Sequence, residues 1–421
     1  MIKLLITFFC VLILIFNYNK KQLVSSSSLW VFAYYLIMVV YPLFRIQVNY
    51  INENLIDVSA LIGIVLFFLG LVLGNKLTLK NTSNKRANKY YMTPNFRISW
   101  IFFCISFLVS LLSLFFWIGS DGIDSILSGV ITSKQLILNR DRSMGIYGLA
   151  VHLMVPSILS MWIISKDKRE KYFSIFALLV YIVETLLFGF TRLFLITILS
   201  IIAFFELRKY SQAKQLIYIP FGLLVAVATL VSLNFIRSLG LGRLGDLSNY
   251  INFDYIFEST DFGASYYWFN ELLKYDSPFI NPIVYLKPLF IFIPRTLWST
   301  KPDPLSLQVL QYINPSLAAT GYSTAGNSVL GEGYAVIGYF GIVLFPLLWG
   351  LVCGFLDHAY YKRLKAGVDK CLANIFYYIF AVFIVISGQR GDWSQYMPIV
   401  LWLYFLPLYI MVKVSLNKKL V

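Results

Sequence analysis

"VSALIGIVLFFLGLVLG" occupies residues 58–74, and "NKLTLKNTSNKRANK" follows it at 75–89. The first stretch has 17 residues and no charge, while the second carries Lys76, Lys80, Lys85, Arg86 and Lys89. A helix of that length rises roughly 25 Å, close to the ~30 Å hydrocarbon core of a bilayer. A membrane-crossing helix that ends in a basic loop accounts for both halves.

The same alternation runs along the chain. Apolar runs near 3–17, 29–46, 58–74, 98–119, 145–165, 172–190, 192–207, 216–236, 328–356, 371–387 and 397–413 predict about eleven transmembrane helices (10–12). Composition agrees, with 59% hydrophobic residues, 13% charged residues and a mean hydropathy of +0.73 over 421 residues. A soluble domain carries about 25% charged residues. The expected fold class is therefore an all-α polytopic membrane protein, with residues 1–421 forming a single integral membrane domain. Helices over 1–236 precede a long loop at 237–327, and helices over 328–421 follow it. The loop holds short helices and a re-entrant or interfacial segment at 283–293. "SSSS" at 25–28 reads as a short polar linker. The apolar start, "MIKLLITFFCVLILIF", lacks a small-residue cleavage site before "NYNKKQ", so a retained first span is expected.

Net charge is +15. In a soluble protein that would point to nucleic acid, but here the cations lie mostly between spans, and no nucleic-acid partner is expected. Basic loops begin at Lys20, Lys76, Lys166, Arg208, Lys362 and Lys413, and together they hold 22 of the 35 Lys and Arg residues. With eleven alternating helices all six fall on one side, which is cytoplasmic by the positive-inside rule. The N-terminus is then outside and the C-terminus cytoplasmic. The loop at 237–327 is external, and loops of that length are usually functional or folded. The partners include the lipid bilayer itself. Cys10, Cys104, Cys353 and Cys371 show no metal-type spacing. No phosphate-binding glycine loop or zinc motif is present either, so neither a metal nor a cofactor is expected.

The candidate chemistry lies on the external side. Arg192 in "FGFTRLF", Arg390 in "SGQRGDWSQY", Arg142 in "LNRDRSMG", and Arg295 with Lys301 in "FIPRTLWSTKPDP" are cations in external loops, where Arg is disfavoured. A shared phosphate ligand would compensate for them, because Arg donates bidentate, charge-assisted hydrogen bonds to it. Lipid headgroups or nearby acids, such as Asp392 beside Arg390, would do so too. Glu332 lies between Gly331 and Gly333 at the outer mouth of the 328–356 run. Partial desolvation there suits a general base, and the same acid also suits a helix N-terminus. Gly333, Gly338 and Gly341 either let a ligand approach or form a small-residue packing face. In "DFGASYYWFNELLKY", Tyr266, Tyr267 and Trp268 offer a platform for sugar rings, with Asp261 and Glu271 to bond hydroxyls. The alternative there is an amphipathic interfacial helix. Glu184 and His152 lie within spans, as interior polar contacts or a site wall.

The stretch Pro294, Arg295, Trp298, Lys301, Pro302 reads P-R-x-x-W-x-x-K-P, and Gly331, Glu332, Gly333, Tyr334, Gly338, Tyr339, Gly341 reads G-E-G-Y-x-x-x-G-Y-x-G. With the span count and the late external loop, these motifs resemble the Wzy-type oligosaccharide repeat-unit polymerases of O-antigen and capsule biosynthesis. The topology resemblance covers most of the chain and the motifs cover about 285–345. Some members carry Gly eleven positions after Arg in two external loops, but Arg237, Arg243 and Arg295 do not have it here.

The resemblance implies a glycosyltransferase of the bacterial plasma (inner) membrane whose active site faces the periplasm or exterior. Its substrate would be an oligosaccharide repeat unit linked to undecaprenyl pyrophosphate, and a chain-length regulator protein is an optional partner. In that frame Glu332 and Arg295 take catalytic roles, and Arg192, Lys301, Arg390, Arg142, Tyr334, Trp298 and Asp261 bind substrate. A flippase for lipid-linked oligosaccharide or an O-antigen ligase are the alternatives. The orientation is directly testable. Green fluorescent protein fused after Val421 is expected to fluoresce, and alkaline phosphatase inserted within 237–260 is expected to be active. The reverse pattern would overturn the assignment.

Overall fold

The computed structural model describes residues 1–44, 52–79, 94–127, 150–188, 192–219, 221–222, 261–275, 280–290, 293, 297–319, 326–384, 389, 391 and 393–417. The described residues are overwhelmingly helical. In order they form α1 (Ile2–Asn19), α2 (Ser26–Tyr35), α3 (Glu53–Leu79), α4 (Phe96–Leu127), α5 (Met154–Ile164), α6 (Lys168–Phe188) and α7 (Arg192–Leu207). After the long connection come α8 (Asp261–Leu272), a 3₁₀ segment (Pro282–Phe290), α9 (Leu305–Ile313), α10 (Val329–Ile337), α11 (Tyr339–Lys365), α12 (Leu372–Ile379), α13 (Trp393–Pro398) and α14 (Leu406–Asn417).

Six of the helical stretches are long and apolar enough to cross a membrane: Ile2–Asn19, Ser26–Leu43, Glu53–Leu77, Phe96–Phe116, Tyr339–Lys365 and Tyr396–Ser415. Shorter apolar helices at Ala150–Ile164, Ile198–Leu207 and Leu372–Phe383 supplement them. The protein is thus a helical membrane protein, with fewer full-length spans among the described residues than the eleven expected. Most of the expected 216–236 span lies outside the described residues. Several helices are interrupted by π turns, at Leu36–Val40, Phe380–Ile384 and Ile399–Phe405. The expected single helix at 328–356 is two helices, because Gly338 adopts φ +64° and ψ −148° and breaks it. Few residues other than glycine tolerate a positive φ of that kind.

Helix α11 is the centre of the bundle, and α3 is its main partner. Their contact is backbone to backbone. A methyl group on Gly70 would lie 2.2 Å from the Leu347 carbonyl oxygen, and one on Gly74 would lie 2.2 Å from that of Leu351. Reciprocally, a methyl on Gly350 would meet the Phe67 carbonyl oxygen at 2.0 Å, and one on Gly354 that of Leu71 at 2.4 Å. Two G-x-x-x-G faces, "GLVLG" at 70–74 and "GLVCG" at 350–354, interlock. Apolar side chains gain little from pairing in lipid, so close packing of small residues drives association there. Trp30 stacks on Phe67, with ring centroids 3.8 Å apart, and the Tyr34 hydroxyl donates to the Ala60 carbonyl at 2.8 Å. These contacts bind α2 to the same pair.

The two ends of the bundle differ. At one end the basic loops converge. Arg208 pairs with Asp369 at 3.3 Å, Lys171 with Glu206 at 3.1 Å, and Lys370 donates to the Ser165 carbonyl at 3.3 Å. Gln212 donates to the Tyr18 carbonyl at 2.8 Å, and the Asn95 amide donates to Ser415 at 3.0 Å. Beneath that surface Asp357, 1% exposed, takes hydrogen bonds from both the amides and the hydroxyls of Ser26 and Ser27, at 2.6 to 3.1 Å, and from the Tyr377 hydroxyl. "SSSS" is therefore not a linker. It is the buried N-terminus of α2, whose amides and dipole hold a carboxylate. Glu184 accepts from Ser110 at 2.8 Å, and His152 Nδ1 lies 3.4 Å from the Tyr181 hydroxyl. Both are interior contacts between helices, as expected.

Gly354→Leu would drive a side chain into the α3 backbone, which cannot retreat. A loss of roughly 3 kcal/mol is expected, read as a lower thermal midpoint in detergent. Gly222→Leu, where nothing among the described residues lies within 4 Å of the added carbon, should leave the midpoint unchanged.

Candidate functional site

The end opposite the basic loops is built from α8, the 3₁₀ segment, α9, α10 and the 389–398 segment. At its margin Lys3 pairs with Glu53 at 2.5 Å, tying α1 to α3. Helix α8 sits on the chain just beyond the Leu36–Val40 π turn, through Gly263, where an added methyl would lie 2.4 Å from the Tyr41 ring. Helix α8 also receives α10, because Gly331 faces Phe269 and Leu272. Two further bonds tie the chain before the 3₁₀ segment to α10. The Tyr334 hydroxyl donates to the Tyr275 carbonyl at 3.1 Å, and the Ile280 amide to the Ala335 carbonyl at 2.8 Å.

Helix α10 starts at Ser328, whose hydroxyl caps the Gly331 amide at 3.1 Å. Every residue from Val329 to Val336 is buried. The helix turns back at Gly338 so that Gly333 and Gly341 meet, and a methyl on Gly341 would fall within 2 Å of the Gly333 carbonyl oxygen. These glycines are a packing face. They hold Glu332, 0% exposed, inside the protein rather than at an open mouth. Helical side chains tilt toward the N-terminus, which directs Glu332 back toward the Asn327–Ser328 end.

That end meets the 389–393 segment. Gly391 has φ +82°, and a methyl there would lie 2.1 Å from the Asn327 carbonyl oxygen and 3.1 Å from Asn327 Cβ. Asn327, and Gln389 two residues before Gly391 in sequence, are fully buried amides, both 0% exposed. Neither the oxygen nor the nitrogen of either side chain has a hydrogen-bond partner among the described residues. A buried polar group left unsatisfied costs roughly 1–3 kcal/mol, and Asn327 and Gln389 together hold four such atoms. Two residues beyond Gly391, the Trp393 ring lies 4.7 Å from that of Trp349, centroid to centroid. The segment is anchored by Ser394, which accepts from the Leu305 amide at 3.1 Å, and by Trp402, which donates to the Pro288 carbonyl at 2.8 Å.

The other expected site residues divide by what the structure describes. Arg142, Arg295 and Arg390 lie outside the described residues. Arg192 is the first residue of α7 and Asp261 the first of α8, with side chains outside the described set. Lys301 donates to the Ile293 carbonyl at 2.8 Å, and Trp298 donates to Thr300 at 3.1 Å and meets Phe290 edge-on. Lys301 and Trp298 thus make contacts with near neighbours in sequence. Tyr266 and Trp268 are buried and only Tyr267 is exposed, while Glu271 pairs with Lys274 at 2.6 Å. The three aromatics therefore pack in two directions and do not form one platform. Asn327 and Gln389 carried no sequence signal of their own, since uncharged amides are ordinary in loops.

Among the described residues no group of His, Cys, Asp and Glu is placed to hold a metal ion. No family model, curated protein or solved structure matches the chain.

The Gly391 junction makes a specific demand. Gly391→Ala is expected to detach the 389–393 segment from Asn327. Amide hydrogen exchange should quicken across 389–393 and 327–331, with α3 and α11 unchanged. Wild-type protection throughout would show that the contact is dispensable.

Proposed function

We propose that the chain polymerises lipid-linked oligosaccharide repeat units at the external face of a bacterial plasma membrane. It transfers the growing glycan from undecaprenyl pyrophosphate to the next lipid-linked unit. The observation that carries this reading is the packing of Gly391 on Asn327. It sets Gly391, the residue after Arg390 in sequence, against the start of the helix bearing Glu332. The enclosed carboxylate lies at the end of the bundle opposite the basic loops, which by the positive-inside rule is the external end.

The chemistry needs those two groups. In the transfer the acceptor hydroxyl oxygen attacks the anomeric carbon of the donor, and the bond from that carbon to the pyrophosphate oxygen breaks. The pyrophosphate leaves on its carrier lipid with the electron pair. Preorganised cations stabilise the charge it gains, a role for Arg192, Arg295, Arg390, Arg142 and Lys301. Glu332 takes the proton of the attacking hydroxyl as general base. An oxocarbenium-like transition state also gains from a nearby carboxylate. Tyr334, Trp298 and Asp261 line the approach of the glycan. The pyrophosphate is already a good leaving group, so neither nucleotide nor metal enters.

A strain deleted for this gene is expected to carry single repeat units on the final acceptor. Long chains stranded on the carrier lipid would instead indicate a ligase, and units trapped on the cytoplasmic face a flippase. Complementation with Glu332→Ala or Arg295→Ala should fail to restore the glycan ladder, with membrane levels of the protein unchanged. Full-length polymer from both variants would sink the assignment of these two residues.

A further inference from the structure

Cations and one carboxylate deal with phosphate and proton transfer, but neither recognises a neutral sugar. The contact between Asn327 and Gly391 supplies the complementary chemistry. A primary amide offers two donors and an acceptor on one planar group. Asn327 and Gln389 are both fully buried, and all four of their polar atoms are without partners among the described residues. A phosphate would be poorly served here, because an amide oxygen repels it. A sugar hydroxyl donates and accepts at once, as does an acetamido group, and either would satisfy amide oxygen and nitrogen together. Trp393, two residues beyond Gly391 and only partly buried, adds an aromatic face of the kind that packs on a sugar ring. The ring packs against Trp349 at 4.7 Å, centroid to centroid.

We infer that Asn327 and Gln389 form a subsite for uncharged hydroxyl or acetamido groups of the glycan, adjoining the Glu332 helix. This subsite rests on the polymerase activity proposed above. It follows that discrimination among repeat units resides partly in two uncharged side chains 62 positions apart in sequence, the second two residues before the glycine that packs on the first.

The test uses the full-length protein purified in detergent and the lipid-linked repeat unit isolated from the deletion strain as probe. Asn327→Leu and Gln389→Met keep nearly the same shape and remove the polar atoms. Each is expected to weaken binding of that probe about tenfold, the effect of one lost buried hydrogen bond. Each should also keep or raise the thermal midpoint of the unliganded protein, because unsatisfied polar atoms leave the interior. Gln389→Met should shorten the glycan ladder in complemented cells. Wild-type affinity in both variants would overturn the subsite alone, provided that the wild-type chain restores the ladder. A fall in thermal midpoint with affinity unchanged would also overturn it, by showing that the amides serve the fold. Failure of the wild-type chain to bind the probe or to restore the ladder would overturn the polymerase activity and the subsite together.

Discussion

The backbone contact between α3 and α11 is the constraint on which the molecule depends. In lipid two apolar helices gain almost nothing from hiding side chains, since the tails around them are equally apolar. Association must come from shape and from weak Cα–H to carbonyl contacts. Gly70 and Gly74 on one helix, and Gly350 and Gly354 on the other, bring the two backbones close enough for both. Once α11 is held in this way, each of its ends acquires a task. At one end the long helix runs into the basic loops. At the other it begins at Gly338, immediately after a left-handed turn.

The two ends use polar groups in opposite ways. Asp357 near the basic end is buried and fully engaged, receiving two amides and three hydroxyls. A carboxylate so completely surrounded by donors has no capacity left for a ligand, and its effect is to fix α2 against α11 and α12. The far end instead holds Asn327 and Gln389, buried with polar atoms left over. One buried polar cluster is closed and serves the fold. The other is open chemically, though closed to solvent, and that asymmetry is what distinguishes a site from a strut.

Hydropathy made the helices legible, and the loop charges made their alternation legible, since both depend only on local composition. Arg208, Lys171 and Lys370 converge at one end of the bundle. What depended on distant partners was not legible. "SSSS" looks like a linker until Asp357, more than 300 residues away, occupies its amides. The two G-x-x-x-G faces stand in plain view at 70–74 and 350–354, yet only the pairing of α3 with α11 gives them meaning. Glu332 is visible in the sequence as a glycine-flanked acid, but its full enclosure follows from Gly338 turning α10 back onto α11. Asn327 and Gln389 have no local signature, because burial and lack of partners are properties of the folded chain.

The proposed activity requires a proton acceptor, cations and neutral hydrogen-bonding groups together at one end of a membrane-embedded bundle, where the structure encloses Glu332 and Asn327. Glycan transfer from a pyrophosphate carrier calls for that combination, and transport alone does not call for an enclosed base. The most direct measurement is reconstitution of the purified chain in liposomes that contain only the lipid-linked repeat unit. Polymerase activity predicts a ladder of products lengthening by one repeat unit at each step, with free undecaprenyl pyrophosphate released in equal number. Repeat units that cross the bilayer but remain single would contradict it.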